Sequence, residues 1–195
     1  MQRRTHPTVG VIDFQGDVRE HVQAFGEMGI TVKRVRSCND MADLTHLVLP
    51  GGESSVIGKF LAETKTDACI KDAYERNKIA LWGTCAGVVL LTKSGSPWSL
   101  NLADATVERN AYGSQLHSFS ATLKLQLTPP VAMEGIFIRA PKITAVGKEV
   151  AVLAAQEGSP VLCKQGNMLL CTFHPELTTK RYVHELFLSM IASHS

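Results

Sequence analysis

KIALWGTCAGVVLL, residues 78–91, contains the pattern from which the organisation of the chain can be inferred. An apolar run ends at Trp82, the pentapeptide Gly83-Thr84-Cys85-Ala86-Gly87 follows, and a second apolar run begins at Val88. This pattern is typical of a buried strand that enters a helix through a tight turn. Cys85 is therefore either a small buried residue of that turn or the group that the turn displays.

Strand-like and helix-like segments alternate on both sides of this turn. Residues 17–28 are predicted as a helix that Gly29 ends, and Ser54 is predicted as the N-cap of another. The last helix is predicted from an apolar stripe of Val183, Leu186, Phe187, Met190 and Ile191. Strands are predicted over residues 8–12, 31–35, 47–49, 79–82, 121–127, 135–138, 150–155, 161–164 and 168–173. Gly166-Asn167 joins the last two strands as a two-residue hairpin turn.

This alternation predicts an α/β fold with a mostly parallel central sheet, helices on both faces and antiparallel strands at one edge. A chain of 195 residues suits one domain, which we expect to span residues 1–195. The formal net charge of +2 gives no reason to expect nucleic acid binding. No apolar run approaches the roughly 20 residues of a membrane span, and the basic stretch of residues 1–10 lacks the apolar h-region of a signal peptide. We therefore expect a cytoplasmic protein without a membrane partner.

The cysteines are scattered along the chain at Cys38, Cys69, Cys85, Cys163 and Cys171. Because no two of them form a C-x-x-C pair, the pattern suggests neither a zinc site nor a disulfide framework. We expect reduced thiols that mostly behave as small buried hydrophobic residues.

The pentapeptide around Cys85 has the form of a nucleophile elbow, in which glycines allow a sharp turn between strand and helix. The helix N-terminus that follows favours the thiolate over the thiol. The backbone N–H of Ala86 would be available to an oxyanion. A buried cysteine in a glycine-rich turn explains the same residues equally well.

Two further motifs could complete a catalytic site. Phe173-His174-Pro175-Glu176 offers a base and a carboxylate that orients it, if both side chains project from extended backbone to the same side. Pro50-Gly51-Gly52-Glu53-Ser54-Ser55 offers free N–H groups at the start of a helix for an oxyanion or a phosphate. Each motif alone is also compatible with an ordinary turn. Because loops after parallel strands gather at one sheet edge, we expect these two motifs to meet the elbow there.

Over nearly its whole length the chain resembles the class I (triad) glutamine amidotransferases, which have a flavodoxin-like fold. The elbow and the His-Pro-Glu motif are shared throughout that family. Three segments, at residues 14–21, 107–115 and 137–141, resemble in particular the glutaminase subunits of pyridoxal 5′-phosphate synthase, the vitamin B6 enzyme. Two residues depart from the usual pattern: Phe14 replaces a leucine, and Ser55 replaces a threonine.

The resemblance implies a triad of Cys85, His174 and Glu176 that hydrolyses L-glutamine to glutamate and ammonia. It also implies that the N–H groups of Gly52 and Ala86 form the oxyanion hole. The residues that would bind glutamine are Gly52, Glu53, Ser54, Arg109, Ile138 and Arg139. Neither a metal nor a cofactor is implied.

The resemblance also implies a partner, the (β/α)₈-barrel synthase subunit of a hetero-oligomeric complex, which receives ammonia directly and makes pyridoxal 5′-phosphate. In such families the glutaminase is nearly idle until docked, and we expect residues 15–21 to contribute to docking. Two alternatives stay open: a triad amidotransferase for another acceptor, and a non-catalytic cysteine-based sensor on the same fold. The segments around Arg109 and Arg139 argue against the first, and the intact His174-Glu176 pair argues against the second.

Overall fold

A seven-stranded sheet forms the centre of the protein in the computed structural model, which describes residues 7–109 and 118–190. The strands are β1 (Val9–Ile12), β2 (Val32–Val35), β3 (His46–Leu49), β4 (Ala80–Thr84), β5 (Ala105–Glu108), β6 (Ser118–Leu125), β7 (Val131–Ile138), β8 (Lys142–Val146), β9 (Ala151–Gln156), β10 (Ser159–Gln165) and β11 (Met168–Cys171). The helices are α1 (Val18–Glu27), α2 (Ser54–Glu63), α3 (Thr66–Glu75), α4 (Ala86–Leu91) and α5 (Tyr182–Leu188). Among these helices, none combines the length and the apolar character needed to cross a membrane.

The strand order of the large sheet is β2-β1-β3-β4-β11-β10-β9. The first five of these strands run parallel, and β10 and β9 add antiparallel strands at one edge. The predicted hairpin is confirmed, since Gln165 pairs with Met168 across Gly166-Asn167. The parallel part has the 2-1-3-4-5 order of flavodoxin-like folds, whose order reverses between β1 and β3. Ligand sites in such folds lie outside the carboxyl ends of the strands at this reversal.

Helices cover both faces of the sheet, as predicted. Along β4, Leu81 packs into one apolar cluster with residues of α2 and α3, such as Ile57 and Ile70. Its neighbour Trp82 packs into the other cluster with Phe25 of α1 and residues of α5. Successive strand residues point to opposite faces, so one fully buried strand supplies both cores. This double burial explains why the parallel strands appear in the sequence as short continuous apolar runs.

Several local predictions are corrected. The N-cap of α2 is Glu53, whose side chain accepts a hydrogen bond from the N–H of Ser55 at 3.3 Å, and Ser54 is the first helical residue. The short strands β5 and β8 escaped prediction and form a separate two-stranded sheet, as β6 and β7 do. Ile191 of the predicted apolar stripe lies outside the described residues.

The prediction that all cysteines are reduced is wrong for two of them. Cys38, in a 3₁₀ turn after β2, is disulfide-bonded to Cys69 of α3, with the Cα atoms 5.9 Å apart. The other three, Cys85, Cys163 and Cys171, are free and buried. The paired cysteines are separated by 31 residues in sequence, so only the tertiary fold brings them together.

Candidate active site

A cavity of about 300 Å³ opens at the carboxyl edge of the parallel strands. The structure brings together there nine of the ten residues singled out from the sequence, while Glu176 lies behind the cavity wall. The cavity is lined by Gln15, Asp17, Gly52, Glu53, Ser54, Cys85, Ala86, Val89, Arg109, Ile138, Arg139, Pro141 and His174. Four of these, Gln15, Asp17, Val89 and Pro141, were not among the predicted site residues.

Cys85 occupies the strained turn between β4 and α4. Its backbone has φ 46° and ψ −103°, a conformation with positive φ that residues other than glycine rarely adopt. A Cβ atom on Gly83 would lie 2.6 Å from the carbonyl carbon of Gly87, and one on Gly87 would lie 2.0 Å from the carbonyl oxygen of Leu49. Both glycines are therefore needed for the close approach of backbone to backbone. This geometry supports the interpretation that the turn displays its thiol.

His174 contacts its expected partner through a different geometry from the one predicted. Residues Pro175–Leu177 form a 3₁₀ helix rather than extended backbone, so the expected strand alternation does not apply. The tight turn nevertheless returns the Glu176 carboxylate to His174, and its Oε1 lies 2.8 Å from the Nδ1 of the imidazole. Both side chains are buried, which makes such a charge-assisted hydrogen bond strong.

The thiol of Cys85 is close to the base but hydrogen-bonded elsewhere. Its Sγ donates to the carbonyl oxygen of Ile138 at 3.6 Å. The Nε2 of His174 is buried and has no hydrogen-bond partner among the residues that the structure describes. Burial by itself would lower the pKa of His174, but the neighbouring Asp17, Cys85 and Glu176 outweigh it and raise the pKa above its ordinary value. These neighbours therefore favour the protonated form of His174, which is the form that results when the histidine takes the thiol proton.

The loop that carries Gly52 is fixed on both sides of Gly51. The N–H of Gly51 donates to the hydroxyl of Thr84 at 3.0 Å, and its carbonyl oxygen accepts from the N–H of Asp17 at 3.1 Å. The following N–H of Glu53 donates to Oε1 of Gln15 at 2.7 Å. Gly52 itself has φ 145°, which favours glycine. Gln15 and Asp17 of the segment after β1 thus form hydrogen bonds to the loop proposed to hold an oxyanion.

Arg109 reaches the same loop from β5's end. Its Nη2 lies 3.2 Å from Oε1 of Glu53 and 3.3 Å from Oγ of Ser55. With 38% of the arginine side chain and 48% of the glutamate side chain exposed, this pair contributes little stability. The guanidinium can therefore exchange this partner for a carboxylate that enters the cavity.

Asp17, His21 and Thr84, which are buried or half-buried, were missed as parts of the site. Asp17 Oδ2 lies 3.2 Å from Nδ1 of His174. His21 Nε2 lies 3.1 Å from Oγ1 of Thr84 and 3.7 Å from Oε2 of Glu176. The position of Asp17 just after β1, at the edge where the strand order reverses, was the one available signal.

The side chains of Asp17, His174 and Glu176 form one compact cluster. A ring nitrogen and two carboxylate oxygens there all lie within 4.8 Å of one another. In the structure these atoms are engaged with each other, because the imidazole Nδ1 contacts both carboxylates. The arrangement is that of a base held by two acceptors.

Comparison with known proteins places the chain among glutamine amidotransferases. Residues 11–193 match the SNO glutamine amidotransferase family. The pyridoxal 5′-phosphate synthase subunit PdxT of Caldicellulosiruptor bescii is 46% identical over 188 residues, which cover 92% of this chain and 96% of that protein. The subunit of the same name from Thermotoga sp. (strain RQ2) is 41% identical, with coverages of 94% and 98%.

Solved structures give the same result. A crystal structure of a glutamine amidotransferase superposes with a TM-score of 0.89 at 40% identity, covering 93% of this chain and 97% of that one. The structure of PurLQS from Thermotoga maritima has a TM-score of 0.66 at 18% identity, covering 94% and 92% of the two chains, and supports the fold alone. The similarity to the first of these structures therefore extends over nearly the whole chain.

Proposed function

The chain belongs to the SNO glutamine amidotransferase family, and from that premise we propose that it hydrolyses L-glutamine at the Cys85 cavity and supplies ammonia to a pyridoxal 5′-phosphate synthase subunit. The observation that carries the proposal is the placement of a strained, glycine-flanked Cys85 in the same cavity as a buried His174–Glu176 pair. A nucleophile, a base and the group that orients the base are the minimum set for acyl transfer.

The reaction begins when the thiol proton passes to His174 and the Cys85 thiolate attacks the side-chain amide carbon of glutamine. A sulfur–carbon bond forms, and the amide oxygen becomes an oxyanion, which the N–H groups of Gly52 and Ala86 are proposed to hold. As the carbon–nitrogen bond breaks, the imidazolium of His174 gives its proton to the leaving ammonia. Water, deprotonated by the same histidine, then cleaves the glutamyl thioester, which releases glutamate and restores the thiol.

The thiol and the Gly52 loop must each move from the described geometry before the reaction can begin. The thiol must leave the carbonyl oxygen of Ile138, to which it now donates, and turn towards His174. Catalytic hydrogen bonds are often loose without substrate and tighten only in the complex. The Gly52 loop must also present its N–H to the oxyanion, and glycine permits such a rearrangement at small cost.

Substrate recognition is assigned to the polar rim of the cavity. Glutamine carries an α-carboxylate and an α-ammonium group that need fixed partners. Arg109 is the cation in the rim that can exchange a weak ion pair with Glu53 for the substrate carboxylate. Glu53, Ser54, Ile138 and Arg139 complete the proposed set, and all of them line the cavity.

The acceptor of the ammonia is proposed from the relatives. The proteins that match at 41% and 46% identity are named as subunits of pyridoxal 5′-phosphate synthase. Ammonia that escaped into water would be protonated and lost, so the proposed partner is the (β/α)₈-barrel synthase subunit in a hetero-oligomeric complex with this chain. The segment of residues 15–21 is proposed to contribute to docking, because Gln15 and Asp17 form hydrogen bonds to the Gly52 loop.

The test is glutamate release and pyridoxal 5′-phosphate formation by the chain with and without a synthase subunit. We expect glutamine-dependent product only from the complex, and none from a complex with Cys85→Ala. Cys163→Ala removes another buried free thiol, which is not among the residues that line the cavity, and should leave both rates unchanged. A Cys85→Ala complex that still released glutamate would overturn the proposed nucleophile. An active complex that made no pyridoxal 5′-phosphate would overturn the proposed acceptor.

A further inference from the structure

Asp17 stands at the N-cap of α1 but does not cap the helix. An aspartate there ordinarily accepts a hydrogen bond from the N–H of the second or third helical residue. The Asp17 side chain makes no such bond. Its Oδ2 instead lies 3.2 Å from Nδ1 of His174. Helix capping therefore does not account for this residue.

Asp17 and Glu176 compete for one donor. The imidazole Nδ1 carries a single hydrogen, and it lies 2.8 Å from Glu176 and 3.2 Å from Asp17. The Glu176 side chain is fully buried, whereas 34% of the Asp17 side chain is exposed. One carboxylate is thus held in the core, and the other sits at the cavity wall, where a substrate or a docked protein can reach it.

The main chain of Asp17 binds the oxyanion loop as well. Its N–H donates to the carbonyl oxygen of Gly51 at 3.1 Å. The packing between them is tight, since a Cβ atom on Gly51 would lie 2.4 Å from Oδ2 of Asp17 and 2.6 Å from Cε1 of His174. A single residue therefore contacts both the catalytic base and the peptide that precedes Gly52.

We propose that Asp17 is a positioning residue, a second carboxylate that stabilises the protonated form of His174 and ties its protonation to the placement of the Gly51–Gly52 loop. This inference rests on the proposed function of His174. A shift of the segment that carries Asp17 would leave His174 with Glu176 alone and would free the carbonyl oxygen of Gly51 in the same movement.

The charges around His174 support this assignment. The titratable groups that act on it are Asp17 of the α1 segment, Cys85 of the elbow and Glu176 of its own turn. The hydrogen bond to His174 is the largest influence on Asp17 and lowers the pKa of that carboxyl below its ordinary value, against the opposing effect of burial. His21 also lies nearby, but burial lowers its pKa, so it adds no charge at neutral pH.

The test is the protonation of His174, followed by the ring ¹⁵N shifts of labelled histidine in the full chain from about pH 6 to about pH 11. The signal is assigned with a His174→Asn sample. We expect Asp17→Asn to move the titration of His174 towards acid by about 1 to 3 pH units, since an opposite charge at this range has that effect. Asp67→Asn, which removes a carboxylate from the first turn of α3, should leave it in place.

An imidazolium that persists in Asp17→Asn and in Asp17→Ala to the same pH as in the native chain would overturn the proposal. The readout needs no glutamine turnover, so the proposed role of Asp17 and the proposed glutaminase function can each fail without the other. A displaced titration in a chain without glutaminase activity contradicts the proposed function alone. An unchanged titration in an active chain contradicts the role of Asp17 alone.

Discussion

His174 and His21 contact opposite oxygens of one carboxylate, yet their surroundings shift their pKa values in opposite directions. His174 Nδ1 lies 2.8 Å from Oε1 of Glu176, and His21 Nε2 lies 3.7 Å from Oε2. Burial lowers the pKa of His21, and the carboxylate does not offset it. Burial acts in the same direction on His174, but the contacts with Asp17, Cys85 and Glu176 together raise its pKa.

The difference shows that a single carboxylate does not suffice to charge a buried imidazole here. The histidine at the cavity has a shorter ion pair and additional partners, whereas the histidine beneath it has a neutral hydroxyl, Thr84, as its nearest polar contact. Of these two histidines, only His174 lines the cavity. His21 is a neutral hydrogen-bonding group that links α1 to Thr84, the residue before Cys85.

Replacing the shared carboxylate gives the largest expected effect. Glu176→Gln keeps the shape but cannot stabilise an imidazolium, so kcat/KM for glutamine in the synthase complex should fall by about 10³- to 10⁴-fold. Steady-state kinetics of the complex measure this fall, and circular dichroism checks the fold. Glu185→Gln, the same exchange at an exposed position of α5, should change the rate by less than about twofold. A Glu176→Gln rate within about tenfold of the native rate would contradict the role of the carboxylate.

The features that sequence patterns predicted well share one property, namely that nearby residues determine them. Strands β1, β3 and β4 are buried along their whole length, so each appears as a continuous apolar run. The elbow and the His-Pro-Glu motif are likewise local patterns of unusual residues. The Gly166-Asn167 hairpin needed only the two residues of its turn.

The features that escaped prediction depend on the tertiary fold. The Cys38–Cys69 disulfide and the contact of Asp17 with His174 join residues that are distant in sequence. Strand β5 is four residues long and pairs with β8 across a long connection. The 3₁₀ turn at Pro175 replaced the expected extended geometry of the base, although the hydrogen bond between the two side chains exists.

His184 extends the contrast to a histidine with no carboxylate partner, and the expected effect is of intermediate size. Both of its ring nitrogens are buried without a hydrogen-bond partner within the described ranges. Burial is the main cause that lowers its pKa to about 3, and its cationic neighbours, His21 when protonated and Arg181, act in the same direction. Between the ordinary pKa of about 6.5 and this value, the unfolded chain binds a proton that the folded chain does not. Stability should therefore fall as pH drops through this window, by up to roughly 1.4 kcal/mol per pH unit.

His184→Phe removes this titration and leaves an aromatic ring beside Phe25 and Trp82. Urea unfolding near pH 7 and near pH 5 measures the outcome. As pH falls from about 7 to about 5, the free energy of unfolding of the variant should rise by about 2 kcal/mol relative to that of the native protein. An exposed histidine would give no such gain, so equal losses in both proteins would show that burial does not keep this side chain neutral.

The smallest expected effect concerns the hydroxyl that connects His21 to the cavity. Thr84 is fully buried, and its Oγ1 accepts from the N–H of Gly51 at 3.0 Å and bonds His21 Nε2 at 3.1 Å. Thr84→Val keeps the shape but leaves the N–H of Gly51 without this acceptor, which should cost about 1 to 2 kcal/mol of stability. Because Gly51 precedes the proposed oxyanion donor, kcat of the complex should fall by about tenfold with KM little changed. Thr84→Ser retains the hydroxyl and should preserve kcat to within about threefold. If Thr84→Val matched the native protein in both stability and kcat, the neutral histidine would have no functional link to the site, and its contact with Glu176 would be a matter of packing alone.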